Sequence, residues 1–452
     1  MENNEVATAP IGKLLLKYSI PGIIGMMVTA LYNVVDRIYI GQIPNIGSLA
    51  ISGVGATLPI TTIVLAFSML VGMGATANIS IFLGKKQKKD AEGILGNAVS
   101  MSIFFSLLIT IIGVLFTNQI LSSFGASNDL LPFAREYIII ILAGTIFNLT
   151  SFSINNTIRA DGSPVVAGVI MGIGCVINIV LDSIFIFTFN MGIRGAAIAT
   201  VISQVVTTAL IGWYYLSGRS YLKISLKTLK PNFKYIGIII AIGLSPFSMQ
   251  IATSVVQIVL NNRLRDLGGD IALGAFAIIV SIWMIFMMPV FGINQGGQPI
   301  IGYNYGARQF ARVRKTLLII TGVGTLYLTL GFLIIQFFPE ALIGFFNKDQ
   351  ELVKIATEGI RTNLFTLPLL SICVMGSTFF QNIGKAKISI FLSLMRQVLL
   401  LIPAIIIFSD YLGLRGVWIA QPICDAISTV TIIIFVLFEL KKQKEMQQEE
   451  VI

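Results

Sequence analysis

Four residues in the first half of the chain have the types and spacing to hold a cation inside an apolar setting. Asp36 stands in the run Leu31-Tyr-Asn-Val-Val-Asp36, fifteen residues after Pro21. Asn178 and Asp182 are four residues apart, which places both on one face of a helix. Thr200 lies about eight residues into the apolar stretch that follows. Two carboxylates, an amide and a hydroxyl make either an oxygen cage for sodium or a site that holds one exchangeable proton. The chain contains no histidine, so proton exchange must rest on carboxylates or lysines. An intramembrane carboxylate costs about 2.5–3.5 kcal/mol on insertion scales, so two without basic partners require a reason. The competing reading pairs Asp36 with Arg37 or lets it snorkel to the surface. Adjacent helical residues point about 100° apart, which disfavours that pair.

The elements that carry these residues are apolar runs of membrane-spanning length. Of 452 residues, 55% are hydrophobic and 12% charged, and the mean hydropathy is +0.88. A soluble chain carries about a quarter charged residues, so lipid is the solvent for much of this one. Long uncharged stretches recur, such as Met101 to Phe116. Helices are expected near 14–41, 49–80, 92–117, 130–158, 163–189 and 192–217. A second set is expected near 234–263, 270–302, 312–338, 353–381, 385–409 and 413–440. Basic clusters such as Lys85–Lys89, Lys223–Lys234, Arg308–Lys315 and Lys441–Lys444 put roughly 21 of the 31 basic residues on one side. That side is cytoplasmic by the positive-inside rule, with both termini inside a plasma (cytoplasmic) membrane. The net charge of +10 thus reads as topology and not as nucleic-acid binding. No cleavable signal peptide is expected, because the first residues are polar and the first apolar run is too long.

The chain repeats itself at an offset near 222. Gly192-Ile-Arg-Gly195 returns as Gly413-Leu-Arg-Gly416, and Gly74…Gly84 as Gly296…Gly306. Arg159-Ala-Asp-Gly162 answers to Asn382-Ile-Gly384, and Pro21 to Pro246. Six helices return the chain to its starting side, so the two copies insert the same way up as parallel repeats. The expected organisation is an N-terminal lobe at 1–220, a cytoplasmic linker at 221–233, a C-terminal lobe at 234–440 and a tail at 441–452. The copies differ in charge: Asp36 corresponds to Asn261, and Asn178 and Asp182 to Leu400 and Ala404. Packing shared by both copies does not account for a charge found in one.

Other polar residues divide between structure and a substrate path. Arg396 and Asp425 fall at equal depth on consecutive antiparallel helices and are expected to form a structural ion pair. The substrate-cleft candidates are Gln257, Asn261, Met287, Gln295 and Gln298, with Met284, Phe286 and Met288 beside Met287 as adaptable liners. Cys175, Cys373 and Cys424 stand singly in apolar runs and encode neither a disulfide framework nor a thiolate metal site.

The whole pattern resembles the multidrug and toxic compound extrusion (MATE) family, from Pro21 to the last helix. The features that carry the resemblance are the Asp36 motif, Gly84 with its basic loop, Arg159-Ala-Asp-Gly162, and the two GxRG turns. Gln295-Gly-Gly-Gln-Pro-Ile-Ile-Gly-Tyr-Asn-Tyr-Gly-Ala307 is similar to the MepA-like branch. The resemblance implies an all-α integral membrane protein with twelve transmembrane helices in two six-helix lobes, V-shaped. It also implies export of amphipathic, often cationic compounds against a proton or sodium gradient by alternating access. The implied cation site is Asp36, Asn178, Asp182 and Thr200, with H+ or Na+ as coupling ion and no other cofactor or metal. Some members carry an acid in helix seven, where this chain is uncharged between Pro246 and Asn262. The implied partners are small amphipathic substrates and the bilayer, with no nucleic acid and no obligatory protein partner.

The rival within transport is a lipid-linked oligosaccharide or lipid flippase of the same superfamily, which would line its cleft with cations or add helices. An intramembrane enzyme would need a nucleophile–base pair or a metal-ligand cluster, and the chain offers neither. Gly384-Lys385 lacks the spacing of a phosphate-binding loop, so ATP drive has no motif either.

Overall fold

The computed structural model describes residues 4–43, 47–123, 130–346 and 350–449, and the described residues are almost wholly helical. The first repeat comprises α1 (Ile11–Gly41), α2 (Gly47–Gly84), α3 (Lys88–Leu115), α4 (Leu131–Ala143 with Thr145–Ala160), α5 (Pro164–Thr188) and α6 (Gly192–Leu216). The second comprises α7 (Phe233–Gly269), α8 (Ile271–Gly306), α9 (Phe310–Phe337), α10 (Gln350–Asn363 with Leu367–Asn382), α11 (Ala386–Leu412) and α12 (Leu414–Glu449). Ten of these are long and apolar enough to cross a membrane as single helices, and the bent pairs α4 and α10 bring the number to 12. The protein is an all-helical membrane protein. The last helix and the two bent pairs differ most from the sequence reading. α12 runs on to Glu449, so most of the expected tail continues the last helix. α4 and α10, expected as single helices, are bent by 55° and 50°.

Both bends have local causes. α4 breaks at Gly144, where a β-carbon would collide with the Val201 side chain. α10 breaks over Leu364–Thr366, just before Pro368, whose ring cannot continue the hydrogen-bond ladder. A break in lipid leaves carbonyls without partners, and each must find one inside the protein. The Thr110 hydroxyl of α3 donates to the Leu142 carbonyl at 2.7 Å, and the Gln336 amide of α9 donates to the Arg361 carbonyl at 2.8 Å. The same solution thus serves both repeats: a polar side chain on the preceding helix.

The contacts divide the chain into two compact units, one of Met1–Val6 with Ile24–Phe247, the other of Ala7–Ile23 with Ser248–Ile452. Two of the unit boundaries fall inside α1 and α7. Besides the change between Val6 and Ala7, the two changes of unit each come within three residues of an in-helix proline, Pro21 and Pro246. The first half of α7 packs on α2 in the first unit, where a β-carbon on Gly243 would collide with the Leu70 carbonyl. The first half of α1 packs on α8 in the second unit, where a β-carbon on Gly22 would stand 2.6 Å from the Gly292 carbonyl oxygen. Glycine is required at both crossings because backbones touch.

Within each unit the same neighbours recur. In the first, α5 packs along α6 and the second half of α4 packs on α3 and α6. In the second, α11 packs along α12 and the second half of α10 packs on α9 and α12. The segment between α6 and α7 is bonded to the first unit rather than loosely tethered. Asn97 accepts the Asn232 N–H at 2.7 Å, and Ser100 donates to the Leu229 carbonyl at 2.6 Å.

Candidate functional site

α5 shows how the sequence places polar groups inside a membrane protein. It buries Ala167, Ile170, Gly174, Asn178 and Asp182 at spacings of three and four, and exposes Val165, Val169, Ile173, Val176 and Val180. This is an inverted amphipathic helix, apolar toward lipid and polar toward the protein. Its last turn, Ile184–Thr188, is π-helical, immediately after Asp182.

The four residues expected to hold a cation are all buried in the first unit: Asp36 at 8% exposure, Asn178 at 1%, Asp182 at 0% and Thr200 at 5%. The Asn178 amide donates to the Thr200 hydroxyl across the α5–α6 seam at 3.3 Å. Asp182 stands one turn further along the same face of α5. Asp36 reaches this cluster from α1, near enough that the charges of Asp36 and Asp182 repel each other. The side chain of Arg37, the competing partner for Asp36, lies outside those described.

Three oxygens at this seam have no hydrogen-bond partner among the described residues: Oδ1 of Asn178 and both carboxylate oxygens of Asp182. A buried orphan of this kind costs about 1–3 kcal/mol, more when charged. An oxygen-binding cation or a proton shared between carboxylates removes that cost, so the donor set fits H+ or Na+ as the transported ion.

The sequence reading did not single out two further buried polar groups of the first unit. Oδ1 of Asn155 on α4 and Oε1 of Gln204 on α6 are also buried without partners among the described residues. Comparison of the copies does not single them out, since their counterparts Ser377 and Asp425 are polar too. The sequence reading also missed Asp161, in the loop between α4 and α5. This carboxylate accepts the Tyr214 hydroxyl at 2.5 Å and the Tyr221 and Leu222 N–H groups at 3.0 and 2.8 Å. Burial pushes its pKa up to about 6, against the opposing pull of these bonds and of Lys88. Asp161 therefore fastens the start of the inter-repeat segment to the first unit.

In the second unit, Arg396 Nε donates to Asp425 Oδ1 at 2.8 Å, and the two side chains are 12% and 2% exposed. Gln421 donates to both oxygens of Asp425 at 3.1 and 3.2 Å, and the Thr366 hydroxyl to Oδ2 at 3.5 Å. Arg396 sits in a π-helical stretch, Met395–Leu401. The other candidates are scattered. Gln257 and Asn261 are exposed on one face of α7, and Met287 is 1% exposed, inside the packing of the second unit. Gln295 and Gln298 on α8 each keep one buried polar atom without a partner among the described residues.

Comparison with known proteins bears on this arrangement directly. The family model MatE matches residues 21–184 and again 247–407, once in each repeat. The multidrug export protein MepA of Staphylococcus aureus (strain MSSA476) is 26% identical over 422 residues, covering 92% of both chains. The Staphylococcus haemolyticus protein of the same name is 25% identical, covering 97% of this chain and 96% of its own. An outward-facing multidrug resistance MATE family transporter of the MOP superfamily superposes with a TM-score of 0.92 at 26% identity. That match covers 98% of this chain and 99% of the other. A MOP superfamily transporter from Pyrococcus furiosus, described as having a binding pocket of reverse polarity, gives 0.92 at 25% identity, covering 98% of this chain and 99% of its own. With both repeats matched by the family model, this chain belongs to the MATE family of membrane transporters.

Proposed function

We propose that this transporter is a multidrug exporter that expels amphipathic, cationic compounds by proton or sodium antiport with alternating access. The observation that carries this reading is the α5–α6 seam. Asp182 and Asn178 hold three oxygens without partners, and the repulsion between Asp36 and Asp182 falls when one cation binds. Export follows if cation entry stabilises one state of the first unit and substrate the other, since each ligand shifts the equilibrium by its differential affinity. The similarity to MepA over 92% of the chain supports a multidrug substrate range. The acidic sign of the embedded unmatched charge supports cationic cargo.

Both termini are assigned to the cytoplasm. An impermeant thiol reagent applied to intact cells should label a cysteine at Asn118 and spare cysteines at Lys88 and Lys227. The functional test is substrate efflux from proteoliposomes with a proton or a sodium gradient imposed separately. One of the two gradients should drive efflux. Efflux that ignores both, or that needs ATP, overturns the antiport reading.

A further inference from the structure

We infer that Arg396 is an oxyanion ligand in the second unit, binding the carboxylate of a zwitterionic substrate or the phosphate of a lipid. The inference rests on the multidrug reading for the first source of that anion. Arg396 lies ten residues after the start of α11, about 15 Å along the helix and so near mid-membrane. Its Nε is committed to Asp425. Asp425 is itself held by Gln421 and Thr366, so its acceptors are filled and its orientation is fixed.

The remaining edge of the guanidinium is different. Nη1 and Nη2 make no hydrogen bond among the described residues, yet they are not among the polar atoms sealed from solvent. Four N–H donors cannot be left facing hydrocarbon, where each unsatisfied polar group costs several kcal/mol. The space they reach is therefore polar, filled by water or by a ligand's acceptors. A planar pair of Nη groups matches the two oxygens of a carboxylate or phosphate, which a lysine cannot do.

Two further features fit a ligand role better than a packing one. Arg396 sits in a π-helical stretch, a local distortion that recurs at functional sites. The equivalent residue of the first repeat is Gly174, packed on Thr207, so the fold closes this crossing without a cation. An ion pair needed only for cohesion would commit more than one of its donors.

The test uses one dye in two forms. Rhodamine B carries a free benzoate beside its cationic ring, and rhodamine B ethyl ester is the same dye with the carboxylate blocked. Binding of each to the purified full chain is read by fluorescence anisotropy, for wild type and for Arg396→Lys. Lysine keeps a cation beside Asp425 and removes the fork. Arg396→Lys should weaken rhodamine B about tenfold, as expected for a charge-assisted pair, and leave the ester unchanged. If the anion is a lipid phosphate, the dyes respond alike. Phosphatidylglycerol nanodiscs then raise the melting temperature of wild type above that in phosphatidylcholine, and Arg396→Lys loses the difference. An equal effect on both dyes with no lipid-dependent difference, or no effect in either arm, overturns the assignment. Failure of wild type to bind either dye counts against the multidrug reading instead, and the lipid arm still decides Arg396.

Discussion

The α5–α6 crossing of the first unit and the α11–α12 crossing of the second are built on one plan and charged in opposite ways. At offsets of 222 on α5 and 221 on α6, Asn178, Asp182 and Thr200 answer to Leu400, Ala404 and Gln421, so the two α5 residues that hold orphaned oxygens in one unit have apolar counterparts in the other. About one turn away the assignment inverts. Gly174 and Gln204 stand there in the first unit, and their counterparts Arg396 and Asp425 form an ion pair in the second. The paired charges face each other, and the carboxylate has three donors. Asp182 keeps two carboxylate oxygens that no group among the described residues satisfies. A buried charge that is matched holds its place, whereas one left unmatched is costly and has a use only if something arrives to match it. On the proposed function the first crossing is therefore the place for an exchangeable cation, and the second is a fixed support for Arg396.

The comparison breaks most visibly at the acids. Asp182→Asn or Asp36→Asn should abolish gradient-driven efflux in proteoliposomes while leaving the protein inserted and its melting temperature near or above that of wild type. Wild-type transport in either variant ends the assignment.

The ion pair should behave in the opposite way. Asp425→Asn or Arg396→Gln strands one charge and should cost about 3–5 kcal/mol, read as a lower melting temperature. The double variant should recover much of that loss. If the single variants melt like wild type, the pair has no structural role.

A smaller effect should come from closing the gap that Gly174 leaves. A β-carbon there would collide with the Thr207 hydroxyl, so Gly174→Val overpacks the crossing by about 1–3 kcal/mol. It should also force α5 from α6 and weaken cation dependence along with stability. Unchanged cation dependence would show that the Asn178–Thr200 seam tolerates displacement.

The smallest effect concerns Asp161. Its pKa is raised from 3.8 to about 6, so the folded state holds this proton more tightly than the unfolded chain. Stability from that proton is present below pH 4 and is lost as pH rises through 6. The melting temperature of wild type relative to Asp161→Asn should therefore fall between those limits and level off above. A flat difference would mean that the three hydrogen bonds offset the burial.

Much of this was legible in the chain. The spans follow from apolar length, and the α5 face follows from the four-residue spacing of Asn178 and Asp182. Asp36, Asn178 and Asp182 stood out because Asn261 and Ala404 lack the charge of the two acids and Leu400 lacks the amide. The bends at Gly144 and Leu364–Thr366 were not legible, since hydropathy does not register a change of direction inside an apolar run. The change of unit within α1 and α7 was hidden too, because backbone contact through Gly22 and Gly243 leaves no pattern of its own. Met287 shows a different limit: a methionine in an apolar helix reads the same whether it lines a cavity or fills a core. Asp161 was overlooked although Ile383 stands at its counterpart, because the motif had been used only to align the repeats.

The central claim is that the first unit alone holds the exchangeable cation. It is tested most directly by cation release from purified protein when a cationic substrate, rhodamine B ethyl ester, is added. Protons are read with an indicator dye in weak buffer, and sodium with a selective electrode. Wild type should release one or the other, Asp182→Asn should release neither, and the Asp425→Asn/Arg396→Gln double variant should behave as wild type. Release that survives Asp182→Asn, or that disappears in the double variant, contradicts the account.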